Sequence, residues 1–186
     1  MTDAFTPHSV YIAGPDVFFL AYPERAAEIC LQCLSLGLQP VLPADAPGKA
    51  SRDIYLGNMQ RIRSCAAIVA NVQAFRSAVE PDSGTAFEIG GFALQGKPVA
   101  MWLPPEQSFN YRDRVATSIG VTEIRTPDGK LVEVDAVDGH LLENFGSPLN
   151  LMLAESGVVH TNSLDALRDV RDQLLALTPR DRPGSL

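Results

Sequence analysis

At 186 residues, 46% of them hydrophobic and 20% charged, the chain has the length and apolar content of one domain with a substantial core. A net charge of -7, from 15 Lys and Arg against 22 Asp and Glu, argues against nucleic acid as a partner, since attraction to phosphate backbones needs an excess of cations. Three Cys suit a reducing, cytoplasmic setting, and the absence of a basic leader and of any apolar run of roughly 18 residues predicts neither a signal peptide nor a membrane span.

The apolar run Ser9–Ala13, closed by Gly14-Pro15, predicts a buried strand. From Tyr22 to Leu36, Ala26, Ala27, Ile29, Cys30, Cys33 and Leu34 recur at three- and four-residue steps, which predicts an amphipathic helix with Gly37 as its C-cap. Gln39–Leu42 reads as a short strand carrying Pro40. Ser51 is expected to cap a helix running to Ser64, with Ile54, Met59 and Ile62 facing the core. Ala66–Val72 is apolar throughout, as a central strand should be, and an irregular loop follows to Asp82. A further helix is expected from Ser83 to Gly96 and a strand over Pro98–Leu103. Such alternation predicts an α/β fold with a mainly parallel, five-stranded sheet between two helix layers. Ligands bind such sheets beyond the carboxyl ends of the strands, which makes the loops after the first and third strands candidates for the site.

Residues 104–148 break the alternation and predict an inserted loop or hairpin, with Asp128-Gly129 turning between Val121–Ile124 and Leu131–Val134. Leu149–Leu153, a short strand at Val158-Val159 and a helix from Ser163 to Leu177 complete the pattern. We read residues 1–186 as a single domain, with 9–177 as its core and 178–186 as a flexible tail.

Several motif-like strings fail on context. Gly91 to Lys97 has phosphate-loop spacing but leaves a helix and ends in Pro98, where a Ser or Thr would be needed. Cys30 and Cys33 lie mid-helix, a place for packing rather than redox chemistry. His8, His140 and His160 are scattered, no other metal-ligand spacing stands out, and no GxGxxG follows the first strand, so neither a metal nor a cofactor is expected. What remains is the segment Pro81-Asp82-Ser83-Gly84-Thr85-Ala86-Phe87-Glu88-Ile89-Gly90-Gly91. One reading is structural: Asp82 or Ser83 caps the helix, and Thr85 with Glu88 forms a capping box. The other is chemical, since the flanking glycines let backbone and substrate approach closely.

Val10-Tyr-Ile-Ala-Gly-Pro-Asp-Val-Phe18, Asp82-Ser-Gly-Thr-Ala-Phe-Glu88-Ile-Gly90 with Gly96-Lys97-Pro98, and Pro148-Leu-Asn-Leu-Met152 occur in that order. Together the blocks resemble the nucleoside 2-deoxyribosyltransferases over roughly residues 9 to 175. The resemblance implies a flavodoxin-like three-layer fold and transfer of 2-deoxyribose between nucleobases through a covalent glycosyl-enzyme. It puts Glu88 on the nucleophile and Tyr11 on the tyrosine that hydrogen-bonds it. Asp82 falls on an acid that binds sugar hydroxyls. Asn150, with Met152 beside it, falls on a residue given to a neighbouring subunit's site, where it meets the 5′-hydroxyl. Gly14, Asp16 and Phe18 belong to the loop expected to line the pocket, with Phe19 and Asp45 as further base-facing candidates. The implied partners are a 2′-deoxynucleoside, a free nucleobase and further copies of the chain in a dimer or larger oligomer with shared sites.

The chemistry is coherent, because a carboxylate can stabilise and then capture an oxocarbenium-like centre as the base departs. The helix terminus and Tyr11 should keep Glu88 ionised. One position departs from the resemblance: Ala66 stands where an acid is expected to handle the departing base's proton, so either Asp16 substitutes or turnover is slow. Two rival readings are a deoxynucleoside 5′-monophosphate N-glycosidase and a non-catalytic nucleoside-binding module. Asp82 and Asp16 would repel a 5′-phosphate, which favours free nucleosides.

Overall fold

The structure is a computed structural model that describes residues 7–43 and 50–177. Asp45 lies outside the described residues. Strands β1 (Ser9–Ala13), β2 (Gln39–Val41), β3 (Ala67–Asn71), β4 (Val99–Trp102) and β7 (Val158–His160) form a sheet in the order β2-β1-β3-β4-β7. All neighbouring pairs are parallel, with Tyr11 opposite Ile68, Ala13 opposite Ala70 and Asn71 opposite Trp102. This is the flavodoxin-like order, with the switch point between β1 and β3.

Helices cover both faces, as the continuous apolar strands require. Val10, Ile12, Ala67 and Val69 bury against α1 (Tyr22–Ser35) and α6 (Ser163–Ala176). Tyr11, Ala13, Ile68 and Ala70 point the other way, into a core shared with α2 (Ser51–Ser64), α3 (Ser83–Ala93) and α5 (Leu151–Ala154). Pro40 is tolerated because β2 is an edge strand. After α1, Gly37 adopts φ 73° while the Leu38 amide reaches back to the Cys33 carbonyl, closing the helix as expected. Cys33 is fully buried and its thiol is pushed up to about 12, first by burial and then by Cys30, which fits a packing role.

Three expectations need correction. Ser51 does not cap α2: Ala50 occupies the N-cap and Ser51 is the first helical residue. The third long helix ends at Ala93, short of Gly96. Residues 104–148 do contain the hairpin, as antiparallel β5 (Val121–Arg125) and β6 (Leu131–Asp135), but also a helix, α4 (Tyr111–Ser118), capped by the Asn110 side chain.

The Gly96-Lys97-Pro98 block has a structural explanation. Lys97 is buried and donates to the carbonyls of Ile62 and Arg63 at 2.9 and 2.7 Å, closing the C-terminus of α2, while its ammonium lies 5.3 Å from the Phe92 ring centre. Among the described residues no helix is long and apolar enough to cross a membrane.

Candidate active site

Chain alternation in β1 aims the Tyr11 ring at α3, where Thr85, Ile89 and Phe92 form the buried stripe. The ring stacks on Phe92, with centres 6.0 Å apart and planes inclined by 15°. One helical turn before Phe92 stands Glu88, and the Tyr11 hydroxyl donates to its Oε1 at 2.7 Å across 77 positions of sequence. Tyr11 is wholly buried, and its pKa rises well above the ordinary phenol value, by burial first and then by the adjacent Glu88 carboxylate. The phenol therefore stays a donor, as an anionic acceptor needs.

Asp82 occupies the N-cap of α3, where its Oδ2 accepts from the Thr85 amide at 2.8 Å and from the Thr85 hydroxyl at 3.0 Å. The structural reading of this segment is thus half right, but the expected Thr85–Glu88 capping box is not formed: Asp82 takes the amide and leaves Glu88 for Tyr11. Glu88 also lies in the second turn, beyond the first turn in which a helix dipole acts strongly, so the phenol is its closer stabiliser. A Cβ at Gly84 would come 3.0 Å from Asp82 Oδ2, and one at Gly91 3.0 Å from Ile62. Gly84 thus leaves room for the carboxylate, while Gly91 serves helix packing.

The loop after β1 is knotted to the end of β3. Asp16, in the short helical turn Pro15–Phe18, receives Arg25 Nε on Oδ1 at 2.6 Å and Asn71 Nδ2 on Oδ2 at 2.8 Å. Both carboxylate oxygens are engaged, a poor state for the substitute acid suggested above. Pairing with Arg25 also cancels much of Asp16's repulsion of a phosphate, which leaves Asp82 as the carboxylate that would repel one. Gly14 makes the knot possible: its φ is +147°, and a Cβ there would lie 2.6 Å from Asn71 Cβ. Phe18 is 57% exposed and stacks on Phe75, centres 5.1 Å apart, beneath the guanidinium of Arg76. Sequence reasoning missed Phe75 and Arg76; an aromatic-cation pair directly beyond the central strand was the available signal.

Ala66 lies just before β3, and its methyl packs into the core on the α1 and α6 face, opposite Tyr11 and Glu88. An acid at this position would not reach the pair, so the expectation that Ala66 removes the base-handling acid is not supported by the geometry. Asn150 caps α5, accepting from the Leu153 amide at 3.2 Å, and Met152 is 75% exposed instead of filling the core. A cavity of about 220 Å³ under the β1 loop, walled by Ile12, Gly14, Asp16, Arg25, Trp102 and Ser163, lies on the α1 and α6 face; of the candidate site residues it takes in Gly14 and Asp16 but none of Tyr11, Asp82, Glu88 or Asn150. Asp135, Asp138 and His140 gather ligand atoms within 4.8 Å in the turn after β6, but Asp135 already accepts the amides of Val137, Asp138 and His140. That turn is accounted for by its own backbone.

A family model described as nucleoside 2-deoxyribosyltransferase matches residues 10–152. The chain belongs to that family. The 2-deoxyribosyltransferase of Leishmania mexicana is 31% identical, with 89% of this chain and 98% of that one aligned at a TM-score of 0.66. A conserved protein of Enterococcus faecalis V583 shares the fold, at 19% identity over 90% of this chain and 99% of its own, TM-score 0.58. An uncharacterized protein of Schizosaccharomyces pombe is 29% identical over 164 residues, which are 78% of this chain and 76% of the relative. The matched span includes Tyr11, Asp82, Glu88 and Asn150, so the family assignment extends over every block in which the resemblance was seen.

Proposed function

We propose that the protein transfers 2-deoxyribose between nucleobases by a retaining double displacement, with Glu88 as nucleophile. The observation that carries this reading is the 2.7 Å hydrogen bond from a buried Tyr11 phenol to Glu88 at the switch-point side of the sheet. A hydrogen bond donated by a neutral phenol favours the charged form of a carboxylate and fixes its orientation, as capture of an oxocarbenium-like C1′ requires. As the C1′–N bond breaks, its electron pair leaves with the base, which takes up a proton from water, and Glu88 bonds to C1′. An incoming base then displaces the carboxylate from the same face by which the first departed, and water in its place gives hydrolysis as a side reaction. In this reading Asp82 and Asn150 bind the sugar hydroxyls, while Gly14, Asp16 and Phe18 shape the loop over the base. No cofactor is required.

We place the active form in a homo-oligomer, with Asn150 and Met152 serving an adjoining subunit. Supporting this, Val137, Leu141, Phe145 and Met152 are each about 70% exposed, and covering such side chains with another copy of the chain would be favourable. The test is to incubate the protein with each 2′-deoxynucleoside, with and without a second base, and to separate the products. Exchange products that require the second base, lost by several orders of magnitude in folded Glu88→Ala, are expected. Release of base from 5′-monophosphates alone would replace transfer by N-glycosidase chemistry. Binding without any turnover would make the chain a nucleoside-binding module.

A further inference from the structure

Arg114 of α4 is 3% exposed, an unusual place for a guanidinium. Its Nη2 donates to the Val79 carbonyl and its Nη1 to the Pro148 carbonyl, each at 2.7 Å. Val79 lies three residues before Asp82, and Pro148 two before Asn150. One turn earlier on the same helix face, the Tyr111 amide donates to the Ser147 carbonyl at 2.7 Å and its hydroxyl to the Glu80 carboxylate. Two residues of one helix therefore grip both segments, each segment by two hydrogen bonds. Buried Val79 and Leu149 pack beside these contacts, so neither segment is free to drift. If α4 served only to fill space, a Leu or Met at 114 would do so without desolvating a charge.

We propose that Arg114 is a positioning residue that sets the Asp82 segment and the Asn150 segment relative to each other, and so fixes how the site reads the sugar hydroxyls. This rests on the proposed function, in which Asp82 and Asn150 bind those hydroxyls. Because Asn150 then serves the adjoining subunit, the brace in each chain ties the Asp82 of one site to the Asn150 lent to the next, so every composite site depends on the braces of both chains that build it. Two side chains that must meet a small sugar together tolerate little relative movement, since displacements of about 1 Å are costly in such sites.

The test compares the wild type with Arg114→Lys and Tyr111→Phe on a 2′-deoxynucleoside, its 2′,5′-dideoxy analogue and its 2′,3′-dideoxy analogue. Arg114→Lys keeps the charge but loses the fork that reaches two carbonyls. It should lower kcat/KM on the full substrate about tenfold, mostly through KM, with the penalty shrinking to about twofold on the analogues that lack a hydroxyl. Tyr111→Phe, which removes one hydroxyl and no charge, should show the same pattern more weakly, and it carries the test if Arg114→Lys does not fold. An equal penalty on all three substrates, or none on any, overturns the inference while leaving the proposed function intact. A wild type that neither binds nor turns over any deoxynucleoside overturns both.

Discussion

Tyr11 combines core packing and a polar contact in one side chain. Its ring belongs to the core and its hydroxyl to Glu88, so the two contributions can be separated by removing a single oxygen. Tyr11→Phe keeps the stack on Phe92 and should lower exchange by about 10- to 100-fold, the worth of a hydrogen bond to a charged group. Thermal stability should change far less than activity, and steady-state kinetics beside a melting curve checks both. Because burial and Glu88 hold the phenolic proton well beyond its usual value, activity should show no loss near pH 10 from this group. Ala66 supplies the opposite case. With its methyl on the far face of the sheet, Ala66→Asp should leave the exchange rate within about twofold and cost about 1 to 3 kcal/mol of stability by burying part of a carboxylate. A rate increase in Ala66→Asp would restore the idea that an acid is missing there.

Among the elements, those whose burial is written as a continuous apolar run were legible: β1, β3 and β4 stand where Ser9–Ala13, Ala66–Val72 and Pro98–Leu103 predicted them, to within a residue or two. The helix α4 was not, because Tyr111-Arg112-Asp113-Arg114 reads as a solvated surface, and nothing local tells that Arg114 is buried against two carbonyls. The Tyr11–Glu88 pair was equally hidden from periodicity, since the partners lie on different elements far apart in sequence; only the ordered blocks of the resemblance joined them. Capping was misjudged for a related reason. Thr85 and Glu88 have capping-box spacing, but Asp82 sits nearer the amide and Tyr11 competes for the Glu, a tertiary contact that spacing does not contain. The Gly14 knot is testable at this scale. Gly14→Ala must hold φ +147° and place its Cβ 2.6 Å from Asn71, so about 2 to 4 kcal/mol should be lost in chemical denaturation, with a raised KM as the β1 loop shifts. Unchanged stability would mean that the loop relaxes freely and that the Asp16–Asn71 contact is not what holds it.

At the scale of the whole molecule, the apolar residues between Val137 and Met152 and the position of Asn150 raise one question: whether a single chain holds a complete site. In the proposed arrangement each site takes Glu88 from one chain and Asn150 from another, related by two-fold symmetry in the simplest assembly. Glu88→Ala and Asn150→Ala should each be inactive or nearly so when purified alone. Asn150→Ala also loses the cap of α5, at about 1 kcal/mol, so its folding has to be checked by melting before its activity is read. Mixed under conditions that exchange subunits, the two variants should recover activity, because some mixed assemblies pair an intact Glu88 with an intact Asn150. In a randomly mixed dimer at equal concentrations, about half the assemblies are mixed, and each contains one intact site of two, which sets a recovery of about one quarter of the wild-type rate. Larger rings built from such pairs give the same fraction when exchange is random. No recovery after demonstrated subunit exchange, or full activity from a protein that sediments as a monomer at the assay concentration, would place both residues in the site of one chain.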